Sequence, residues 1–180
     1  MNEYITGAQV GPDPGCIDPA PSFRLATVGG TFNVFHGGHA EYLALALAHA
    51  RRILVWITSD ELAARLKTCP VRPFAIRAES VDGYLRGTTS PVRYEIRPLE
   101  SELDLEWLVF AEDVDLAVVE PAYLARFKEL NLRRERVGVA RYDVVLKERT
   151  RLGDLELTST RLMLSGAIVQ SSPEFAAVEW

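Results

Sequence analysis

The sequence is poor in cysteine, in histidine and in long apolar runs, and it has no excess of positive charge. Two cysteines, Cys16 and Cys69, cannot make a disulfide framework, so a reducing compartment is the expected setting. Neither stands in a Cys-x-x-Cys or beside a histidine, so neither carries the signature of a reactive thiol. No apolar stretch approaches the ~20 residues of a membrane span. The first residues lack a basic region leading into an apolar one, so no signal peptide is expected and the chain is expected to be cytoplasmic. Acidic residues outnumber basic ones, 25 to 20, for a net charge of −5. That balance argues against a basic surface for nucleic acid. Any anionic ligand has to be held by local donors rather than by the overall field. The sequence leaves the oligomeric state open.

What is present alternates. Residues 1–22 hold the stretch GPDPGCIDPAP, whose prolines and glycines exclude regular structure; they read as an arm. From Leu25 the pattern changes. LATVG (25–29) is a short apolar run stopped by paired glycines, as a buried strand is. AEYLALALAHARR (40–52) is rich in helix formers and ends in two arginines, which suit a helix C-terminus. ILVWIT (53–58) is a second buried strand. Strand, glycine loop, helix and strand in that order make a βαβ unit with parallel pairing.

The alternation continues through a short helix at 59–66, a helical stretch at 74–86 weakened by Gly83, and an alternating half-exposed strand at 92–99. A short helix at 104–112 and an apolar strand at 114–120 follow. PAYLARFKELNLRRE (121–135) opens a helix with proline at its first position. The last strand is 141–148, and TSTRLMLSG (158–166) reads as a helix capped by Thr or Ser and closed by Gly166. The expected fold is α/β: a doubly wound, Rossmann-like sheet of five parallel strands with helices on both faces. It spans 23–168, with a C-terminal tail at 169–180. Ligands of such sheets bind outside the C-terminal strand edges, where the strand order reverses.

The stretch GGTFNVFHGGH (29–39) falls at that edge. It is neither a Gly-Lys-Ser/Thr P-loop nor a Gly-x-Gly-x-x-Gly turn. Gly29 and Gly30 allow backbone to approach a ligand, although glycines after a strand also serve as a plain tight turn. His36 and His39, three apart at a helix start, share one face. There they add two imidazole donors to a helix N-terminus that already favours anions. As metal ligands they lack a third partner, because His49 lies at the far end of the same helix, so zinc is set aside.

In combination these residues resemble the GTFDxxHxGH signature of the nucleotidylyltransferase superfamily. LTSTR (157–161) stands where that superfamily carries an Ile-Ser-Ser-Thr-Arg motif. The likeness is greatest to the archaeal and eukaryotic type of phosphopantetheine adenylyltransferase. VGGTF carries its double glycine, and ITSDELAARLK (57–67) resembles GLTSDEMAKKK. VRPFAIRAESV (71–81) resembles VKPYEERVENL, VDLAVVE resembles LDAIVVS, and KELNLRRER (128–136) resembles LEINRIRREN. The resemblance runs from about Leu25 to Gly166. Three departures stand out: Asn33 replaces an Asp, Glu120 replaces a Ser, and the DPYGPA segment has no counterpart.

The resemblance implies transfer of AMP from ATP to 4′-phosphopantetheine, giving dephospho-coenzyme A and pyrophosphate. Thr31, His36 and His39 would be catalytic. Gly29, Gly30, Phe32, Asn131, Arg134, Thr158, Ser159, Thr160 and Arg161 would bind the nucleotide, and Lys67 or Arg72 would meet the acceptor phosphate. Mg²⁺ would arrive with ATP, since no carboxylate cluster suggests a dedicated cage. Two alternatives stay open. One is another transfer in the superfamily, of cytidylyl groups or to flavin or nicotinamide nucleotides. The other is nucleotide binding without catalysis.

Overall fold

The structure, a computed structural model, describes residues 21–152, 155–156, 158 and 162. Most of the arm and all of the tail lie outside the described residues, as do Ser159, Thr160 and Arg161.

β1 (Phe23–Gly30), α1 (Gly37–His49) and β2 (Ala50–Thr58) form the first βαβ unit. After them come α2 (Asp60–Leu66), α3 (Phe74–Thr88), β3 (Tyr94–Leu99), α4 (Trp107–Phe110), β4 (Leu116–Val119), α5 (Leu124–Arg136) and β5 (Asp143–Leu146). The five strands are all parallel in the order β3-β2-β1-β4-β5. The order reverses between β1 and β4, so the expected doubly wound sheet is present.

Its core follows from a period of two on strands buried on both faces. Ile53, Val55 and Ile57 of β2 pack with Tyr42, Leu43, Ala46, Val81 and Leu85 of α1 and α3. Leu54 and Trp56 point to the other face and pack with Leu108 of α4, Leu130 of α5 and Tyr142. Each such side chain contributes about 1.5–3 kcal/mol on burial. β3 is one of the two edge strands and is half exposed, as its alternation requires.

Several boundaries differ from the sequence expectation. α1 starts at Gly37 rather than Ala40 and stops at His49, and Arg51 and Arg52 belong to β2, where their side chains are exposed. The β-rich run Ile53–Thr58 draws strand pairing back to Ala50, opposite Phe23. Carbonyls at the C-terminus of α1 are met from a distance instead: the Arg93 guanidinium donates to Leu47, Ala50 and Arg51. The helix expected at 104–112 divides into a 3-10 turn, Glu102–Glu106, and the single turn of α4. Pro121 opens a 3-10 turn, Pro121–Tyr123, and α5 begins after it. A two-residue hairpin, β6 (Arg151–Leu152) with β7 (Leu155–Glu156), has no counterpart in the sequence reading. Of the helix expected at 158–166, Thr158 and Leu162 are described; the Leu162 N–H donates to the Thr158 carbonyl at 3.0 Å, a helical bond. No helix among the described residues is long and apolar enough to cross a membrane.

Candidate active site

β1 and β4 pair at Ala26–Leu116 and Thr27–Ala117. Beyond those pairs, toward the C-terminal edge, the Tyr42 hydroxyl enters between the strands. It donates to the Val118 carbonyl at 2.6 Å and accepts the Gly29 N–H at 3.3 Å. Burial pushes this phenol far above its ordinary range, so it stays a donor. A crevice at the reversal point is where a ligand of a doubly wound sheet binds, and GGTFNVFHGGH lies along it.

The turn out of β1 is tight. Phe32 has φ 53°, the only non-glycine residue with positive φ among the described residues. Its ring folds back into the core and is 1% exposed. A Cβ at Gly30 would lie 3.0 Å from that ring and press on it, which favours glycine here. The left-handed conformation costs roughly 1–2 kcal/mol. It turns the chain so that Thr31 stays half-buried at the crevice while Phe32 anchors beneath it.

His36 is the N-cap of α1, and its carbonyl accepts the N–H groups of His39 at 2.8 Å and Ala40 at 3.1 Å. No side chain among the described residues caps this helix, and no acidic residue occupies its first turn. The positive end of α1 is therefore left to an outside anion. The two imidazoles stack at 3.8 Å between ring centroids. Phe32 lies 4.9 Å and Phe35 5.6 Å from the His39 ring. A Cβ on Gly38 would come within 3.1 Å of the His36 ring and of Thr150 Oγ1, which explains the glycine.

Both rings are neutral at pH 7. Burial lowers the pKa of His36 to about 4, against an opposing pull from Glu41. Burial, then the charges of His36 and Lys67, lower that of His39 to about 3, against a hydrogen bond with the Val34 backbone. Nδ1 of each ring is buried without a partner among the described residues. Buried polar atoms are nearly always bonded, so two orphaned ring nitrogens beside an uncapped helix N-terminus fit a ligand rich in phosphate oxygens. The Lys67 ammonium is near enough for its charge to be felt at the His39 ring.

Asn33, the departure from the resembled motif, is buried. Its amide donates to the Pro70 carbonyl at 2.9 Å and accepts the Arg72 N–H at 2.7 Å. The Arg72 side chain is exposed, and its backbone is held on both sides.

Two expected nucleotide contacts are corrected. Arg134 is 1% exposed, and its guanidinium donates to the carbonyls of Leu108, Ala111, Val114 and Ala140. Asn131 donates to the Tyr142 carbonyl and accepts the Tyr142 N–H. These partners precede β4 and β5, so they gather at the edge of the sheet opposite the glycine loop. The pair holds the lower end of α5 to the sheet, and Arg134 has no face left for a phosphate. Of the second motif, Thr158 is half-buried, and Ser159, Thr160 and Arg161 fall outside the described residues.

The sequence reading passed over several residues at the crevice. Arg77 of α3 is wholly buried and fans out to the carbonyls of Thr31 and Arg72, to Thr58 Oγ1 and to the Asp60 carboxylate. Its signal was its spacing: Arg77, Val81 and Leu85 are the buried residues of α3, four apart. Lys147, just past β5, contacts Glu41 at 3.0 Å and Thr150 at 3.1 Å, and Thr150 donates to Glu41 at 2.6 Å. A lone lysine after a strand carries no such signal.

A parallel sheet with an anion-ready helix N-terminus at its reversal point defines a nucleotide-binding α/β protein. The family profile that matches is cytidylyltransferase-like, over residues 27–163. The chain is 30% identical to the phosphopantetheine adenylyltransferase of Pyrobaculum aerophilum, over 73% of this chain and 83% of that protein. It is 32% identical to that of Archaeoglobus fulgidus, over 66% of this chain and 77% of that one. Among solved structures it is similar to an Archaeoglobus fulgidus protein of unknown function, with a TM-score of 0.59 and 28% identity over 76% of this chain and 100% of the other. The chain belongs to the cytidylyltransferase-like family, on its phosphopantetheine adenylyltransferase branch.

Proposed function

We propose that the chain transfers the adenylyl group of ATP to 4′-phosphopantetheine in the cytoplasm. An acceptor phosphate oxygen attacks the α-phosphorus in line. The new P–O bond forms as the α–β bridging bond breaks, giving dephospho-coenzyme A and pyrophosphate. That oxygen is already anionic near pH 7, so no general base and no covalent enzyme intermediate are needed. The task is alignment of two anions and neutralisation of the charge growing on them.

The observation that carries this reading is the stacked His36–His39 pair with its unpartnered Nδ1 atoms at the uncapped start of α1. His39 and Thr31 donate where the two phosphates meet, and His36 holds the nucleotide phosphates. The backbone N–H groups of Gly30 and Phe32 line the turn, while that of Gly29 is taken by the Tyr42 hydroxyl. Lys67 and Arg72 receive the acceptor phosphate. Thr158, Ser159, Thr160 and Arg161 hold the β- and γ-phosphates. Among the described residues no three His, Cys, Asp or Glu side chains converge to hold a metal. In this reading Mg²⁺ enters on the phosphates of ATP, whose charge it offsets.

The test is pyrophosphate release from ATP and Mg²⁺ with a panel of acceptors. Release with 4′-phosphopantetheine, lost by about 10²–10³-fold in His39→Ala with the fold intact, supports the proposal. Release only with CTP and a phospho-alcohol, or only with a flavin or nicotinamide mononucleotide, refutes the acceptor. ATP binding without turnover on any acceptor refutes catalysis.

A further inference from the structure

Between α2 and α3 the chain crosses the mouth of the crevice in the segment 67–73, which carries Lys67 and Arg72. It is a loop whose prolines at 70 and 73 restrict its local backbone but do not tie it to the rest of the fold, and the Arg72 side chain is exposed. Two buried side chains hold it. Asn33, 4% exposed, uses one amide on both sides of the segment, accepting from Arg72 N–H and donating to Pro70 C=O. Arg77, 0% exposed, donates from Nε to the Arg72 carbonyl at 2.7 Å and from Nη1 to the Thr31 carbonyl at 2.8 Å. Its other arm reaches Asp60 of α2 at 2.8 Å. One guanidinium thus joins the glycine turn, the start of α2 and the 67–73 segment.

We infer that Asn33 and Arg77 are positioning residues that clamp the acceptor-bearing segment 67–73 to the nucleotide-bearing turn 29–36, and so set the spacing between the two phosphates. The inference rests on the proposed function in one respect, that Lys67 and Arg72 receive the second substrate. It also gives the asparagine a reason. An ionised Asp in its place would accept from Arg72 N–H but would meet the Pro70 carbonyl with a second acceptor. Asn makes both bonds. The three-way reach of Arg77 uses the fork of a guanidinium, which a lysine cannot copy.

The test uses the full chain with Asn33→Ala, Asn33→Asp and Arg77→Lys. Amide exchange needs no substrate. In Asn33→Ala the Arg72 amide is expected to exchange at least about tenfold faster while β1 and β2 amides keep their rates, with Asn33→Asp falling between. An unchanged Arg72 amide overturns the clamp, whatever reaction the protein performs.

In pyrophosphate release, Asn33→Ala is expected to raise the acceptor KM about tenfold and to leave the ATP KM within about twofold. Arg77→Lys, which also frees the Thr31 carbonyl, is expected to lower kcat about tenfold or more. Equal rises in both KM values, or faster exchange with both unchanged, refute a positioning role. If the wild-type chain uses a different acceptor, the same split is read with that acceptor. A wrong acceptor assignment and a wrong clamp therefore give different results.

Discussion

Lowering the pH should unfold this protein through its two stacked histidines. In the folded state His36 and His39 titrate near 4 and 3, far below the free value of 6.5. As the pH falls below 6.5, the unfolded chain therefore takes up protons that the folded chain refuses. Stability from this source is whole above about pH 7. It erodes from about 6.5 downward, until the folded-state values are passed near 4 and 3. At pH 5 each ring stands about 1.5 pH units below the free value, which is about 2 kcal/mol per histidine and about 4 kcal/mol for the pair at most. A domain of this size holds about 5–15 kcal/mol in all, so the loss is large. Urea unfolding at pH 7.5 and pH 5.0 measures it. With a slope of about 2 kcal/mol per molar, the midpoint should fall by roughly 1–2 M in the wild type. The doubly substituted His36→Gln, His39→Gln chain should lose most of that pH dependence. The neighbouring Glu41 carboxyl does not blur the comparison. Burial pushes it up, but hydrogen bonds from Thr150 and Lys147 hold it below the ordinary range, so it titrates below this window. An identical midpoint shift in the wild type and the double variant would refute the reasoning.

ATP should restore the basicity that burial removed. At pH 6 its binding is expected to take up about one proton or more per site, and at pH 8 close to none; calorimetry in two buffers of different ionisation enthalpy reads this directly, and no uptake at pH 6 contradicts phosphate contact with the rings. Gly38→Ala should leave thermal stability within about 1 kcal/mol, since alanine favours the helix. Its methyl would press on the His36 ring and Thr150, so pyrophosphate release should fall about tenfold. Arg134→Met takes the guanidinium donor from four backbone carbonyls, of which that of Ala111 keeps the Val114 N–H, and should cost about 3–5 kcal/mol in chemical unfolding, while nucleotide affinity in the folded protein stays within about twofold.

What could be read from the sequence was what is local in the chain. The turn 29–39 announces itself because the paired glycines, the threonine and the two histidines are all within eleven residues. Their geometry follows from one strand ending and one helix beginning. The buried strands were equally legible, since β2 is apolar on both faces. Arg134 was read as a nucleotide contact because the resemblance of KELNLRRER carried it there. Only the packing of α5 on α4 and the loop before β4 brings three carbonyls around it, and Ala140 beyond α5 adds the fourth. Arg93 is the converse case: it caps α1 from far away in sequence, and the arginines next to the helix do not. Asn33 looked like a weakening of the motif, because its partners, Pro70 and Arg72, lie far along the chain.

The same division explains how the site can be both buried and charged in use. A permanently cationic pair of rings at the start of α1 would face desolvation, mutual repulsion and the repulsion of Lys67 whenever no anion was bound. Burial neutralises both rings instead, so the free protein carries polar but uncharged groups there. Of the cations near the crevice, Arg77 is paired with Asp60 and Lys147 with Glu41. Phosphate then supplies the missing counter-charge at the point of binding. A site built this way costs least when empty and gains most from a ligand with several negative oxygens, which is the charge distribution of a nucleotide triphosphate meeting a second phosphate.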